Sequence, residues 1–361
     1  MLRRTVPLVA LYALLPLAAI CQPPAPAQPP APAAEQPGFK IAVQAREVIL
    51  PVSVTDDKGR FVSNLDVKDF QVLDEGRPQH ITYFSHNTRQ PVVIGFLVDL
   101  SNSSRIYWNV YREATMDLVW NLLPVEDTRF SGYLITFAND AEVAVNTTQD
   151  ADKITDYLRK SKPGGASAFY DAILMACTSR TLVRGEPFEP RRVIVVVGDG
   201  HDTASKKISF DQVIELAKRN LVTIYAVSTQ SFGFNSDSQA ELERLTRETG
   251  GHVEYPLANG LYKDVAGYIS TPKDAGNYVF EAGTGGYAAE IAGAITNAIL
   301  GIAGDITTQY ILRYVPDDDP DAKPKPFHHI KVLIPGVPGV VIRARDGYYP
   351  QTAEATPVPK K

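Results

Sequence analysis

The stretch VVIGFLVDLSNSS, residues 92–104, decides the fold. Its first seven residues are apolar or glycine without polar alternation, which is typical of a parallel strand covered on both faces. Asp99 ends this strand, and Ser101 and Ser103 follow at alternate positions. In a doubly wound sheet, ligands bind beyond the carboxyl ends of the strands. The stretch therefore predicts a polar site at a sheet edge, although serines that cap the next helix would explain the same residues.

Three further apolar runs have the same texture. They are FSGYLITF (130–137), RVIVVVGD (192–199) and LVTIYAVST (221–229). Helix-length segments alternate with these runs, which predicts a doubly wound, mostly parallel α/β sheet. The predicted helices cover residues 104–122, 150–160, 169–184, 209–220 and 288–303. AEVAVNTT (141–148) follows the second strand after a short turn, so we expect an antiparallel edge strand there.

Short, alternating stretches with Gly and Asp turns lie on both sides of this unit, which predicts half-buried β-strands. Because both flanks share one texture, we expect a single β-sandwich with the α/β domain inserted in it. Two separate β units, or strands that extend the main sheet, are the alternatives. A Gly-rich and aromatic insertion is expected at 256–287, near the bottom or side of the sheet. The expected segments are a signal peptide at 1–21, a Pro/Ala-rich linker at 22–38, sandwich segments at 39–89 and 305–350, the α/β domain at 90–304 and a tail at 351–361.

The N-terminus has the pattern of a secretory signal peptide, since two arginines precede an apolar stretch. The proline-rich residues that follow predict an extended tether. We therefore expect an exported protein that is periplasmic, envelope-associated or secreted. Cys21 stands where a bacterial lipoprotein carries its lipid, but Ile20 precedes it where a small residue is usual. Cleavage near Gln22 is favoured, and membrane attachment is expected only if Cys21 is lipidated.

The composition argues against nucleic acid as a partner and against a framework of disulfide bonds. The 361-residue chain has a net charge of −5, which gives no basic surface for nucleic acid. Besides Cys21 it has one cysteine, Cys177, so no disulfide framework is predicted and Cys177 is expected to be a small buried hydrophobe. His201 is expected in a solvent-facing loop. His328 and His329 are expected in a strand, as surface and core residues, because the sequence around them has no carboxylate pattern.

Two more loops bring oxygen atoms to the carboxyl edge of the sheet. Gly164 and Gly165 precede Ser167 at the entry to a helix, and Asp199 ends an apolar strand. Together with Asp99 and the two serines, these residues provide two carboxylates and three hydroxyls. Such a set suits Mg²⁺, with Mn²⁺ or Ca²⁺ as alternatives, whereas Zn²⁺ would require His or Cys.

The DxSxS set of Asp99, Ser101 and Ser103, with the hydroxyl of Ser167 and the strand-terminal DG at Asp199, resembles the metal-ion-dependent adhesion site of von Willebrand factor A domains. The resemblance covers about residues 91–303. The flanks resemble those of exported bacterial proteins of this family, best known from acidobacteria. The family implies a Rossmann-like α/β fold and a cation-dependent protein-binding function without catalysis.

The resemblance also implies a role for each residue. Ser101 and Ser103 would bind the cation directly, while Asp99 and Asp199 would hold coordinating waters. Ser167 stands where the family usually has threonine, and it lacks the methyl group that restricts the rotamer. A partner's Asp or Glu would complete the shell. In the family, an open form recruits the threonine-position hydroxyl while the C-terminal helix shifts.

Two other functions fit parts of the pattern. An apolar strand ending in Asp99 and the later GDG motif resemble a magnesium-dependent phosphatase of the haloacid dehalogenase type. Those enzymes need a second Asp as general acid two residues on, where this chain has Ser101. A metal-free assembly scaffold that binds through its β-sandwich is the third hypothesis. Cation-dependent stability and phosphoester hydrolysis distinguish the three.

Overall fold

The computed structural model describes most of the chain, and its described residues belong to one compact unit, Ala45–Lys361. The predicted signal peptide, linker and tail, and residues 258–284 of the predicted insertion, lie outside the described residues. No helix in the described part has both the length and the apolar character needed to cross a membrane. The described ranges are 47–86, 90–105, 108–179, 181–183, 190–230, 237–257, 285–317 (side chains from 293) and 325–350.

The described residues form strands at both ends and alternate strands and helices between them. The strands are β1 (Val48–Thr55), β2 (Gln71–Asp74), β3 (Arg77–Gln79), β4 (Ile81–His86), β5 (Val92–Asp99), β6 (Phe130–Phe137), β7 (Ala141–Thr148), β8 (Arg191–Gly198), β9 (Val222–Ser228), β10 (Val253–Glu254), β11 (Tyr310–Tyr314), β12 (His328–Leu333), β13 (Val341–Arg343) and β14 (Gly347–Tyr348). The helices are α1 (Trp108–Leu122), α2 (Ala151–Lys160), α3 (Phe169–Thr178), α4 (Phe210–Arg219), α5 (Asp237–Thr249) and α6 (Gly285–Thr307).

The central sheet has six strands in the order β10-β9-β8-β5-β6-β7. All neighbouring strands are parallel except β6 and β7, which are antiparallel. The predicted parallel sheet and its antiparallel edge strand are therefore confirmed. Every residue of β5 is buried, because helices cover both faces of the sheet. Alternate residues of β5 enter opposite cores: Ile94 and Phe96 pack with α1, α2 and α6, whereas Val93 and Leu97 pack with α3, α4 and α5.

Four helices differ from the prediction by more than one residue. Helix α1 begins at Trp108 and not at residue 104. The helix predicted over 169–184 ends at Thr178, and the last helix runs from Gly285 to Thr307 and not from 288 to 303. Helix α5 was not predicted from the sequence. Its apolar contribution to the core comes from Leu242 and Leu245 alone, three positions apart on an otherwise polar helix. Such a narrow stripe gives a weak helical pattern.

The flanking strands form two four-stranded sheets, β13-β1-β11-β4 and β14-β12-β2-β3. Each sheet combines strands from both ends of the chain. Leu50 of β1 lies opposite Leu312 of β11, and Val72 of β2 lies opposite Val332 of β12. The two sheets share one apolar core. The predicted single sandwich is therefore confirmed, and the alternatives of two separate β units or an extended main sheet are wrong.

A buried lysine joins the sandwich to the α/β domain. Lys218 of α4 places its Nζ 2.6 Å from Oε2 of Glu248 and 2.9 Å from Oδ1 of Asp346. The same ammonium group lies 4.7 Å from the ring centroid of Phe327. Because Asp346 and Phe327 belong to the C-terminal segment, this cluster fixes the sandwich against α4 and α5.

A second buried cluster fixes the end of α6. His252 places Nε2 2.9 Å from Oε1 of Glu254 and Nδ1 3.0 Å from Oδ2 of Asp305. Arg343 of β13 lies 3.4 Å from the same Asp305 oxygen, and Tyr225 packs edge-on against the imidazole ring. Burial by itself lowers the pKa of His252, but the two carboxylates outweigh it and raise the pKa above its usual 6.5.

Within the sandwich, His328 has a carboxylate partner that no sequence pattern around it indicates. Its Nδ1 lies 3.1 Å from Oδ1 of the buried Asp74. Tyr314 and Tyr348 donate hydrogen bonds to the other oxygen of that carboxylate, at 2.9 and 3.0 Å. Asp74 precedes His328 by 254 positions, so no local sequence pattern connects them. His201 is exposed and Cys177 is buried, as expected.

Candidate metal centre

The candidate centre lies at the carboxyl ends of the adjacent parallel strands β5 and β8. Val98 pairs with Val197, so Asp99 and Gly198 end the two strands side by side. A Cβ atom on Gly198 would lie 2.9 Å from the Cβ of Asp99, which is closer than ordinary contact. Glycine thus allows the two strand ends to approach, and it brings the carboxylates of Asp99 and Asp199 to one edge.

Asp99 is the buried carboxylate of this edge, with 2 % of its surface exposed. Its Oδ1 accepts a hydrogen bond of 2.7 Å from the backbone N–H of Ser101. Its Oδ2 is buried and receives no hydrogen bond from the described residues. Burial raises the pKa of Asp99 to about 7, and the negative charge of Asp199 adds to this effect. Ionised Asp99 therefore needs a positive neighbour.

Ser103 lies in a short 3-10 turn, Asn102–Arg105, before α1, and Ser101 directly precedes that turn. Their hydroxyl oxygens are 2.8 Å apart, so they hydrogen-bond to each other. Ser101 is buried and Ser103 is exposed. The two hydroxyl groups therefore lie between the buried carboxylate of Asp99 and the protein surface.

Ser167 enters the same edge from the loop before α3. The residue is 3 % exposed, and its Oγ receives or donates no hydrogen bond within the described residues. Two backbone hydrogen bonds join its loop to the serine loop: Asn102 donates to the carbonyl of Gly165 at 3.0 Å, and Gly164 donates to that of Leu100 at 2.6 Å. These contacts bring a third hydroxyl to the site.

Asn139 explains why the Ser167 loop has a glycine at position 165. Gly165 has a φ of 102°, and a Cβ there would lie 2.8 Å from Oδ1 of Asn139. That same Oδ1 accepts a hydrogen bond of 2.8 Å from the N–H of Ala166. Asn139 therefore holds the loop from the β6–β7 turn, and its role could not be found from the sequence, because it comes 27 positions before Ala166.

Asp199 is half-buried and begins the loop after β8. Its Oδ1 accepts a hydrogen bond of 2.9 Å from the N–H of His201. Gly200 follows with a φ of 77°, a conformation that favours glycine. The DG pair thus forms a turn that keeps the carboxylate at the sheet edge.

The structure thus brings all five sequence-predicted residues to one edge of the sheet. The described residues contain no cluster of three or more His, Cys, Asp or Glu that would hold a metal. The candidate donors here are instead two carboxylates and three hydroxyls. Two of their buried oxygens, Oδ2 of Asp99 and Oγ of Ser167, have no hydrogen-bond partner among the described residues. An oxygen-only donor set with unsatisfied buried atoms fits a hard divalent cation.

Residues 94–260 match the family model of the von Willebrand factor type A domain. The α/β part of the chain therefore contains a von Willebrand factor type A domain. Its particular architecture is such a domain inserted in a β-sandwich that both ends of the chain build. Domains of this family commonly mediate protein–protein interaction or adhesion, and they often bind a divalent metal.

Several solved structures are similar to parts of the chain. The von Willebrand factor domain of the type V pilus tip protein Mfa5 from Porphyromonas gingivalis is 17% identical, with a TM-score of 0.29; the match covers 34% of this chain and 43% of that one. BatB from Bacteroides thetaiotaomicron is 15% identical, with a TM-score of 0.36 and coverage of 56% and 99%. Proximal thread matrix protein 1 from the mussel byssus, with zinc in its adhesion-site motif, is 18% identical, with a TM-score of 0.38 and coverage of 47% and 42%.

The matched region spans less than half of the Mfa5 chain. A search of curated proteins gave no match. The family assignment rests on the family model.

Proposed function

We propose that the protein binds a divalent cation through Asp99, Ser101, Ser103, Ser167 and Asp199, and binds a partner protein through that cation. Mg²⁺ is the expected ion, with Mn²⁺ or Ca²⁺ as alternatives. The observation that supports this function best is a pair of buried oxygens, on Asp99 and Ser167, that have no hydrogen-bond partner among the described residues. An unsatisfied buried polar atom costs about 1–3 kcal/mol, so a cation that contacts Ser167 directly and Asp99 through a water ligand would offset that cost.

Each side chain has a distinct part in this function. The hydroxyls of Ser101 and Ser103, which lie 2.8 Å apart, would bind the ion directly. Asp99 and Asp199 would hold its water ligands, and Asp99 also fixes the loop through the N–H of Ser101. Ser167 supplies the third hydroxyl. When bound, the cation supplies an electrophilic position for an anionic ligand.

Charge determines what kind of partner fits. The ligands in direct contact with the ion are neutral hydroxyls, so they do not neutralise its charge. An Asp or Glu side chain of the partner, which is an oxygen ligand with a negative charge, suits the remaining position. Ser103 is exposed and Asp199 is half-exposed, so a partner can reach this side of the site.

An interaction function is favoured over an enzymatic one. Relatives in this family are mostly interaction or adhesion modules without catalysis. Ser101 occupies the place where the phosphatases considered above carry their general acid, and a hydroxyl is a poor proton donor near neutral pH. The protein is therefore proposed to be a binding protein.

The N-terminal sequence supports export to the periplasm, the envelope or the medium. Its arginines and apolar stretch are those of a signal peptide, and the proline-rich residues after it suit a tether. The membrane is involved only if Cys21 is lipidated.

Calorimetric titration of the purified protein with MgCl₂ tests the cation step. We expect one binding event in the wild type and none in Ser101→Ala. Ser63→Ala is the matched control, because Ser63 is an exposed serine outside the site. Pull-downs from the native envelope, with and without chelator, then test the partner. A partner that is retained equally by the wild type and Ser101→Ala in both conditions contradicts the proposed function, and so does hydrolysis of a generic phosphoester that depends on Asp99.

A further inference from the structure

The loop after β8 holds Ser167 by its backbone. Oγ1 of Thr203 accepts a hydrogen bond of 2.9 Å from the N–H of Ser167. The N–H groups of Thr203 and Ala204 both donate to the carbonyl oxygen of Ser167, each at 2.8 Å. Thr203 and Ala204 thus satisfy both the N–H and the carbonyl oxygen of Ser167, although Thr203 comes 36 positions later in the sequence.

The same loop also caps α3. The residue before this helix, Ala168, makes no side-chain cap hydrogen bond. Instead, Oδ1 of Asp202 accepts from the N–H of Tyr170 at 3.1 Å, and Oγ of Ser205 accepts from the N–H of Asp171 at 2.9 Å. Side chains of a distant loop therefore satisfy N–H groups that the first turn of a helix leaves free.

Helix α3 in turn accepts hydrogen bonds from the loop. The carboxylate of Asp171 accepts hydrogen bonds from the N–H groups of Lys206 and Lys207, at 3.3 and 3.2 Å. Oγ of Ser205 donates to Oδ1 of Asp202 at 2.5 Å and so orients the capping carboxylate. The start of α3 and residues 202–207 consequently form one hydrogen-bonded unit, which includes Ser167 and continues to Asp199.

We infer that Thr203 is a positioning residue for the cation site: it fastens the backbone of Ser167 to the loop of Asp199, so that these two residues are already in place before the cation binds. This inference rests on the proposed cation-binding function. It adds a residue that touches no cation and predicts that the Ser167 hydroxyl does not have to be recruited by a loop movement.

The positioning role of Thr203 determines how much cation affinity its substitution should change. Outer residues that orient metal ligands typically change metal affinity about 10–100-fold when they are removed. Thr203→Val keeps the branched shape and the backbone N–H but loses the oxygen that accepts from Ser167. We therefore expect a loss of about 10-fold in cation affinity. Thr203→Ser keeps the accepting oxygen and is expected to bind nearly as the wild type does.

The test combines two measurements on the purified protein. Mn²⁺ affinity is measured by electron paramagnetic resonance for the wild type, Ser101→Ala, Thr203→Val and Thr203→Ser. Hydrogen exchange of the Ser167 amide is measured without any cation. We expect a protected amide in the wild type and Thr203→Ser, and faster exchange in Thr203→Val. Thr178→Val is the matched control, because Thr178 is exposed at the far end of α3 and its hydroxyl donates only to Leu174 of the same helix.

The outcomes separate the two proposals. If the wild type binds Mn²⁺ and Ser101→Ala does not, the cation site stands. In that case, equal affinity in Thr203→Val and the wild type overturns the inference alone. An unprotected Ser167 amide in the cation-free wild type overturns it as well. If the wild type binds neither Mn²⁺ nor Mg²⁺, both proposals fall. A purely structural role would lower the stability of Thr203→Val and leave the affinity of its folded molecules unchanged, which also contradicts the inference.

Discussion

Replacing Lys218 by methionine should loosen the sandwich from the α/β domain. The ammonium group is 7 % exposed and lies 2.6 Å from Glu248 and 2.9 Å from Asp346. It also lies over the ring of Phe327 at 4.7 Å. Methionine keeps most of the unbranched stem, so the substitution removes the charge and leaves little cavity. Two carboxylates then lose a shared cation.

The expected cost is about 2–3 kcal/mol. Removing one partner of a buried ion pair typically costs about 3–5 kcal/mol. Two features of this cluster reduce that figure: Glu248 keeps Arg244 at 2.9 Å, and Asp346 is 39 % exposed. With a urea m-value of about 3 kcal/mol/M for a protein of this size, the midpoint should fall by about 0.7–1 M.

The assay is urea unfolding followed by circular dichroism and tryptophan fluorescence. Burial raises the pKa of Glu248, but Lys218 and Arg244 outweigh it and hold the pKa below its usual 4.5. A carboxylate whose pKa is lower in the folded protein than in the unfolded chain stabilises the fold at pH values above its unfolded-state pKa. This contribution is lost as the pH falls through the folded-state pKa. The difference in unfolding free energy between the wild type and Lys218→Met should therefore shrink as the pH falls below the usual carboxylate pKa of 4.5.

The matched control is Lys153→Met. This lysine is 65 % exposed and lies 3.7 Å from its carboxylate partner, so we expect a change within about 0.5 kcal/mol. If Lys218→Met is as stable as Lys153→Met, the buried cluster does not join the two parts of the protein, and the reasoning is refuted.

Three further predictions concern the α/β domain. His252→Gln should lower the free energy of unfolding by about 2 kcal/mol at pH 5.5 and by less at pH 8.5. Charged His252 stabilises the buried Asp305, and this stabilisation is lost as the pH rises through the raised pKa of His252. Urea unfolding at both pH values measures the difference. Gly251→Ala should cost about 2–3 kcal/mol in thermal unfolding, because a Cβ there would lie 2.0 Å from the carbonyl oxygen of Ile224. Cys177, whose pKa burial raises to about 12, should react with iodoacetamide only when the protein unfolds, as peptide mass spectrometry can show.

A specific result would contradict each of these predictions. A cost of His252→Gln that is constant or grows from pH 5.5 to 8.5 contradicts the charge assignment. Gly336→Ala is the control for Gly251→Ala, since nothing lies within 4 Å of the Cβ position there, and equal effects of the two substitutions contradict the packing argument. Rapid labelling of Cys177 in the native protein contradicts its burial.

The fold was predictable where burial imposes one pattern on the sequence. Strands such as β5 and β8 are apolar throughout because both faces are covered. Helix α5 was missed because Leu242 and Leu245 alone carry its apolar face. The early end of α3 at Thr178 also went unpredicted, since its apolar pattern continues to Val183, which is buried beyond the helix.

The candidate site was predictable in part for a related reason. Asp99 ends β5, Ser101 follows two residues later, and Asp199 directly follows β8, so strand direction alone brings the three residues to one edge. Thr203 and Asn139 act through hydrogen bonds to the backbone of a distant loop. Nothing in the local sequence marks such residues, because the partner of each is determined by the folded arrangement of the loops.

The most direct test of the account is a crystal structure of the protein grown or soaked in MnCl₂, with anomalous diffraction recorded for manganese. We predict one strong peak at the carboxyl edge of the sheet, within about 2.2 Å of the hydroxyl oxygens of Ser101 and Ser103 and absent in crystals of Ser101→Ala. A wild-type crystal with no peak at this edge, or with its peak elsewhere on the protein, would contradict the account.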